Sequence, residues 1–195
     1  MARTESTMLE LGTELPGFEV EDVRTGEKVT EGTVGDGRAL VVMFLCNHCP
    51  FVKHLHDGLA AFDKDYRDKD VTVLAISSND VVNYPDDSPE KMAELADGFG
   101  WAMSYCYDES QEAAKAFRAA CTPDFFVFDA DRSLVYRGQF DGSRPDGGVA
   151  VTGEDLRAAV DAVLGGGAVS REQRPSLGCN IKWKAGSEPA YVASV

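Results

Sequence analysis

The stretch Ala39-Leu-Val-Val-Met-Phe-Leu-Cys46-Asn-His-Cys49-Pro50-Phe-Val-Lys53 decides how this chain folds. It opens with an unbroken apolar run, Ala39 to Leu45, too short to cross a bilayer. Bounded upstream by Gly35-Asp-Gly37, that run reads as a strand buried on both faces at the centre of a sheet. Beyond it Val52, Leu55, Leu59 and Phe62 recur at three- and four-residue steps, with Lys53, Asp57, Asp63 and Lys64 between them. This spacing predicts an amphipathic helix from about Asn47 to Tyr66. Two thiols spaced C-x-x-C therefore sit where a central strand hands over to the amino end of a helix. Such an end carries unpaired N–H groups and about +0.5 of an elementary charge, which favours a thiolate over a thiol. The position is suited to redox chemistry.

Working outward, Val71 to Ser77 is a second apolar strand, so strand–helix–strand implies a right-handed parallel pair. Upstream, Leu11 to Pro16 is a polar lead-in, and Gly17–Val23 with Glu27–Thr30 reads as an amino-terminal hairpin around Arg24-Thr-Gly26. Downstream, Asp86-Asp-Ser-Pro89 signals a helix from Glu90 to Phe99. Trp101 to Tyr107 is strand-like, and Ser110 to Ala119 is a further helix. Cys121 to Phe128 is a strand led by a proline, with Ser133 to Arg137 its antiparallel partner. A glycine-rich loop, Asp141 to Thr152, precedes a last amphipathic helix from Gly153 to Leu164. Gly165-Gly-Gly167 lacks a strand before it and a helix after it, so it is not a phosphate loop.

The chain has 195 residues, 44% hydrophobic and 27% charged, which suits one domain with a substantial core. A formal charge of −14 argues against nucleic acid and against anionic membranes as partners. The acidic residues are scattered, as a solvated surface would have them. Met1 to Met8 has no apolar h-region, so the expected setting is soluble and cytoplasmic. Cysteines 46, 49, 106, 121 and 179 are then not a structural disulfide framework, because cytosolic disulfides are usually transient and catalytic.

A lone C-x-x-C has three readings: half a zinc site, a structural pair, or a dithiol redox centre. Zinc wants a second pair or two histidines at ligand spacing, and neither is present. His54 and His56, two apart on a helix, point to different faces and read as surface residues. The expectation is no metal and no cofactor. In the redox reading Cys46 is the nucleophile, with a depressed pKa, and Cys49 resolves the mixed disulfide one turn later. Asn47 and His48 fill the middle of the motif. An imidazole at His48 would stabilise the thiolate, the alternative being an exposed helix-start residue. Thr122-Pro123 opens a strand beside the central one, at the sheet end that carries the thiols. It is either an ordinary trans strand-starting proline or a cis bond that turns backbone toward a substrate disulfide. Cys121, two residues before Pro123, falls behind that position as a supporting residue.

The order of elements, Leu9 to Leu164, resembles the thioredoxin fold: a central mixed β-sheet flanked by helices, with an amino-terminal hairpin and an extended carboxy-terminal tail. The lead-in Leu-Gly-x-x-Leu-Pro-x-Phe and the extra Glu90–Tyr107 segment resemble the alkyl hydroperoxide reductase/thiol-specific antioxidant (peroxiredoxin-related, redoxin) superfamily. Phe-Leu-Cys-Asn-His-Cys-Pro-Phe-Val, Cys-Thr-Pro-Asp-Phe-Phe and Pro-Ser-Leu-Gly-Cys-Asn-Ile-Lys-Trp-Lys are similar to a group of peroxiredoxin-like proteins within it. The resemblance implies Cys46 and Cys49 as the redox pair, Pro123 as a cis-proline, and thiols, disulfides or hydroperoxides as partners. Two departures matter. The buried acid of thioredoxin falls at Leu40, and the peroxiredoxin Pro and Thr positions, aligned on Cys49-Pro50, hold Val42 and Cys46.

Residues 165–195 form the tail. Leu177 to Trp183 alternates apolar with small or polar residues, so it is expected to dock as an extended segment. Cys179 reads as a buried inert thiol filling a small apolar space, with a third redox cysteine as the alternative.

Overall fold

The computed structural model describes residues 3–192. In chain order the strands are β1 (Arg3–Glu5), β2 (Glu19–Asp22), β3 (Lys28–Thr30), β4 (Ala39–Phe44), β5 (Val71–Ser77), β6 (Ser104–Tyr107), β7 (Cys121–Thr122), β8 (Asp124–Phe128), β9 (Leu134–Gly138) and β10 (Leu177–Asn180). The helices are α1 (Pro50–Tyr66), α2 (Pro89–Phe99), α3 (Glu112–Ala116) and α4 (Glu154–Leu164), with a single 3-10 turn at Pro85–Asp87. A seven-stranded mixed sheet runs β3-β2-β6-β5-β4-β8-β9, and a three-stranded sheet runs β1-β10-β7.

β4 is central, and every residue in it is buried. It pairs parallel with β5 and antiparallel with β8. Its alternation feeds two cores. Ala39, Val41 and Met43 face Leu55, Leu59 and Phe62 of α1, and Leu40, Val42 and Phe44 face the opposite side. There Phe44 and Phe126 meet Phe117 edge-on, with centroids 5.5 and 5.6 Å away. Burying each such side chain contributes about 1.5–3 kcal/mol, which fixes the register of β4 and thus where its end delivers Cys46.

α1 begins later than its apolar spacing suggests. Pro50 holds the first helical position, where its missing N–H costs nothing, and Cys49 is the N-cap in extended conformation. Asn47 and His48 lie in a bend ahead of the helix. The strand expected over Trp101–Tyr107 is confined to β6, and the helix expected over Ser110–Ala119 to the five residues of α3.

The tail docks as a strand. β10 runs antiparallel to β7 on one side and to β1 on the other, a partner the sequence reading did not anticipate. Gly178 is the reason it can lie so close: a Cβ there would collide with the carbonyl group of Thr122.

Candidate active site

The loop between β7 and β8 closes over the thiols. The Thr122–Pro123 peptide is cis. Cys46 Sγ lies 3.2 Å from Thr122 Oγ1, and the Cys49 thiol donates to the Thr122 carbonyl at 3.3 Å. Both sulfurs are buried, and they hydrogen-bond each other. The structure thus brings Cys46, Cys49, Thr122 and Pro123 together. Cys121, also buried, turns its thiol to the Pro123 carbonyl at 3.6 Å and stands behind the pair.

Asp87, in the 3-10 turn, is the acceptor around which the Cys46 side is built. Its Oδ1 receives the Asn47 N–H at 2.8 Å and the His48 N–H at 3.2 Å. Its Oδ2 receives the Asn79 amide at 2.8 Å and meets His48 Nδ1 at 2.6 Å. Asn47 is further held by its amide on Asp86 O, 3.0 Å, and by the Tyr105 hydroxyl, which donates to its Oδ1 at 3.1 Å. His48 stacks on Tyr84, ring centroids 5.4 Å apart. Its Nδ1 is engaged by Asp87, and the same ring lies within 4.8 Å of the Cys46 and Asp87 ligand atoms. The tail reaches this network as well, since Lys182 N–H donates to Asn79 Oδ1 at 2.8 Å.

Burial alone would raise the Asp87 pKa, but hydrogen bonds from His48, Asn79 and Asn47 overcome it and hold the carboxylate below its usual range. That charge acts on the thiols. The Cys46 pKa is pushed well up by its hydrogen bond to Cys49, by burial and by the Asp87 carboxylate. Cys49 moves the other way, to about 5: the Cys46 thiol donates to it, and against the cost of burial the Cys179 thiol and the Val52 and Cys179 N–H groups add to that. One contact opposes, because the Thr122 carbonyl repels a thiolate at Cys49. It is a single dipole against several donors and the helix N-terminus. The sequence places the depressed pKa at Cys46; here the donors, first the Cys46 thiol and then Cys179 and Val52, converge on Cys49 and lower its pKa instead.

A second buried acid follows the cis-proline. Asp124 accepts only the Phe125 N–H, 3.1 Å, and its Oδ2 has no hydrogen-bond partner among the described residues. Burial drives its pKa well above the carboxylate range, which favours the neutral acid. His56, expected at the surface, is buried against Phe99 at 4.6 Å between ring centroids, while His54 meets Ser143 Oγ at 3.1 Å. Cys46, His48 and Asp87 present ligand atoms within 4.8 Å of one another, a donor set suited to zinc or copper. The His48–Asp87 pair would have to open for a metal to bind there.

A groove of about 550 Å³ opens beside His48 between α1 and α2, lined among others by Asn47, Lys53, Lys91, Leu95 and Phe99. A 600 Å³ cavity against α4, lined in part by Gln139, Asp155 and Arg174, shares no residue with the thiol site. Among the described residues no helix is long and apolar enough to cross a membrane.

A central mixed sheet, a strand-to-helix junction carrying two thiols and a cis-proline set against them define a thioredoxin-like fold. The AhpC/TSA family matches residues 11–137, and the chain belongs to that family. It is similar to an uncharacterized conserved protein from Geobacillus kaustophilus, with 51% identity over 94% of this chain and 97% of that one and a TM-score of 0.92. A hypothetical protein from Sinorhizobium meliloti 1021 is 47% identical over 94% of this chain and 100% of its own, TM-score 0.91. The thioredoxin domain of a thiol-disulfide oxidoreductase from Bacteroides vulgatus shares the fold at 15% identity, covering 76% of this chain and 96% of that domain, TM-score 0.58. No curated protein matches the chain. Family and fold together support a thiol redox function and oxidoreductase activity.

Asp87, Asn79, Tyr105 and Asp124 were missed in the sequence. Asp86-Asp-Ser-Pro89 was legible only as a helix start. Asp124 did carry a signal, an acid placed directly after Pro123 in an otherwise apolar strand.

Proposed function

We propose that this protein is a thiol–disulfide oxidoreductase working through a Cys46/Cys49 dithiol–disulfide couple. The observation that carries the reading is the hydrogen-bonded sulfur pair held against Thr122 and the cis-proline. The raised Cys46 pKa and the lowered Cys49 pKa favour a resting dithiol with the negative charge on Cys49 and the proton on Cys46. Cys49 attacks one sulfur of a substrate disulfide, whose S–S bond breaks, and one half leaves as a thiolate that takes a proton from solvent. Cys46 then attacks Cys49 Sγ, its proton going to the second departing thiol. The protein is oxidised by two electrons to the Cys46–Cys49 disulfide, and the substrate is reduced to two thiols. This reverses the roles expected from the sequence, because the thiolate is the nucleophile and the better-supported thiolate is Cys49. Thiols of a cytoplasmic pool would return the disulfide to the dithiol.

A second reading is favoured by the same charge distribution. A thiolate at a helix cap followed by Pro50 can attack a hydroperoxide, releasing an alcohol or water and leaving a sulfenic acid on Cys49. Cys46 then condenses with it and releases water. A third, a binding protein that carries metal at Cys46, His48 and Asp87, is tested by metal analysis of the purified chain.

Turnover of an insulin-type disulfide and of a hydroperoxide, on wild type, Cys46→Ser and Cys49→Ser, tests the proposal. We expect faster turnover of the disulfide, abolished in Cys49→Ser and slowed in Cys46→Ser. Hydroperoxide turnover with no disulfide exchange would replace the first reading by the second. Full activity in Cys49→Ser would overturn both.

A further inference from the structure

The tail brings a third sulfur to the pair. In the β10–β7 ladder Cys179 lies opposite Thr122, the residue that contacts both Cys46 and Cys49. The Cys179 thiol hydrogen-bonds the Cys49 sulfur, and α1 packs on β10. Cys49 therefore has two sulfur neighbours: Cys46 from its own loop, and Cys179 from the far end of the chain.

The placement of Cys179 is built, not loose. Arg3 of β1 pairs with it on the outer side. Ser176 Oγ donates to Pro123 O at 2.6 Å, and Ile181 N–H donates to Ala120 O at 3.0 Å. Gly178 lets β10 lie against the Thr122 carbonyl where a Cβ could not fit. A thiol that only filled apolar space would not need its sulfur directed at Cys49. Cys106 shows the contrast: it is buried in the core on the other face of the sheet.

We propose that Cys179 is a third redox thiol of this centre, able to replace Cys46 as the disulfide partner of Cys49. The proposal rests on the reading of Cys49 as the attacking thiolate. From a mixed disulfide at Cys49, the Cys179 sulfur attacks Cys49 Sγ, the bond to the substrate half breaks, and that half leaves as a thiol with the proton of Cys179. From the Cys46–Cys49 disulfide the same attack expels Cys46 as a thiol, so the bridge moves to Cys49–Cys179 with no change in electron count. Burial, reinforced by the hydrogen bond to Cys49, pushes the Cys179 pKa up to about 12, so it attacks slowly, and Cys46, held in the same loop as Cys49, is the first to reach it. The Cys46–Cys49 bridge forms first and the Cys49–Cys179 bridge accumulates after it, tying the tail to the cap of α1 and leaving Cys46 reduced.

The test is non-reducing peptide mapping of the full chain after exposure to oxidised glutathione. In Cys46→Ser we expect a peptide linking Cys49 to Cys179, with Cys121 unbridged. In wild type the same peptide should follow the Cys46–Cys49 peptide in time. In Cys179→Ser it should vanish while Cys46–Cys49 remains. A wild-type time course that stops at Cys46–Cys49, with Cys46→Ser held as the Cys49–glutathione adduct, overturns the proposal and leaves the two-cysteine exchange intact. If Cys46→Ser does not fold, the wild-type time course decides alone. Wild type that forms neither bridge overturns the exchange reading, and this proposal with it.

Discussion

Asp87 and Asp124 are two carboxyl groups buried to the same degree, 0% and 1% exposed, at the same end of the sheet. Their pKa values move in opposite directions. Asp87 has two backbone N–H groups, an amide and an imidazole on it, whereas Asp124 has one N–H and an oxygen without a partner among the described residues. Burial is common to both, so donors decide which one ionises. The consequence is chemical. A charged Asp87 adds to the hydrogen bond from Cys49 and to burial in raising the Cys46 pKa, whereas the raised pKa of Asp124 disfavours a second negative charge at the site.

The severest way to break this comparison is Asp87→Ala. It strands the Asn47 and His48 N–H groups and the Asn79 amide in the interior, and we expect a loss of about 3–5 kcal/mol, the cost of removing one partner of a buried pair. Urea denaturation at neutral pH measures it. A loss no larger than a surface substitution would mean that Asp87 does not organise the site.

His48→Ala removes a single charge-assisted contact and should cost about 1.5–3 kcal/mol. It also leaves the Asp87 charge less compensated beside the sulfurs, which disfavours the reduced side of the couple with its Cys49 thiolate. The centre should become more reducing by about 10–30 mV, where 30 mV corresponds to about 1.4 kcal/mol. A redox titration giving a more oxidising potential would contradict this electrostatic role.

Asp124→Asn has the smallest effect, and pH sets its size. The native pKa of Asp124 is raised above its ordinary 3.8. The stability tied to its proton is therefore complete below that value and is lost as pH rises toward the native pKa. The amide has no proton to lose, so the variant should match wild type near pH 4. It should become the more stable of the two as pH rises above the ordinary carboxylate range. Thermal melts across that range would expose the error if the difference did not grow with pH.

Much of the frame was legible in the sequence because it is local. The apolar run of β4, the period of α1 and the alternation of the tail each announce their element within a few residues. The start of α1 was not, since apolar spacing from Val52 onward marks a face without marking a first residue. Pro50 carried that information through its preference for the first helical position, and the shift from Asn47 to Pro50 moved the cap to the second thiol. The partners of Asp87 and Cys179 were illegible for another reason. They depend on the register of β10 against β7 and on where the loop after β5 folds back, and nothing near those residues encodes it. His56 misled because alternation on a helix cannot reveal that Phe99 and Trp101 cover the outer face.

The ionisation of the two thiols is the point on which the account turns. Both sulfurs are buried, so labelling rates would report access as well as charge. Cysteine Cβ resonances, followed by NMR through a pH titration of the reduced wild-type protein, separate the two. Cys49 is expected to titrate near pH 5 while Cys46 keeps its proton through the neutral range. Stability of the reduced protein should then fall as pH drops through the Cys49 transition, since the native pKa lies below the ordinary 9.0. A titration in which Cys46 ionises first, with Cys49 protonated at neutral pH, would contradict it.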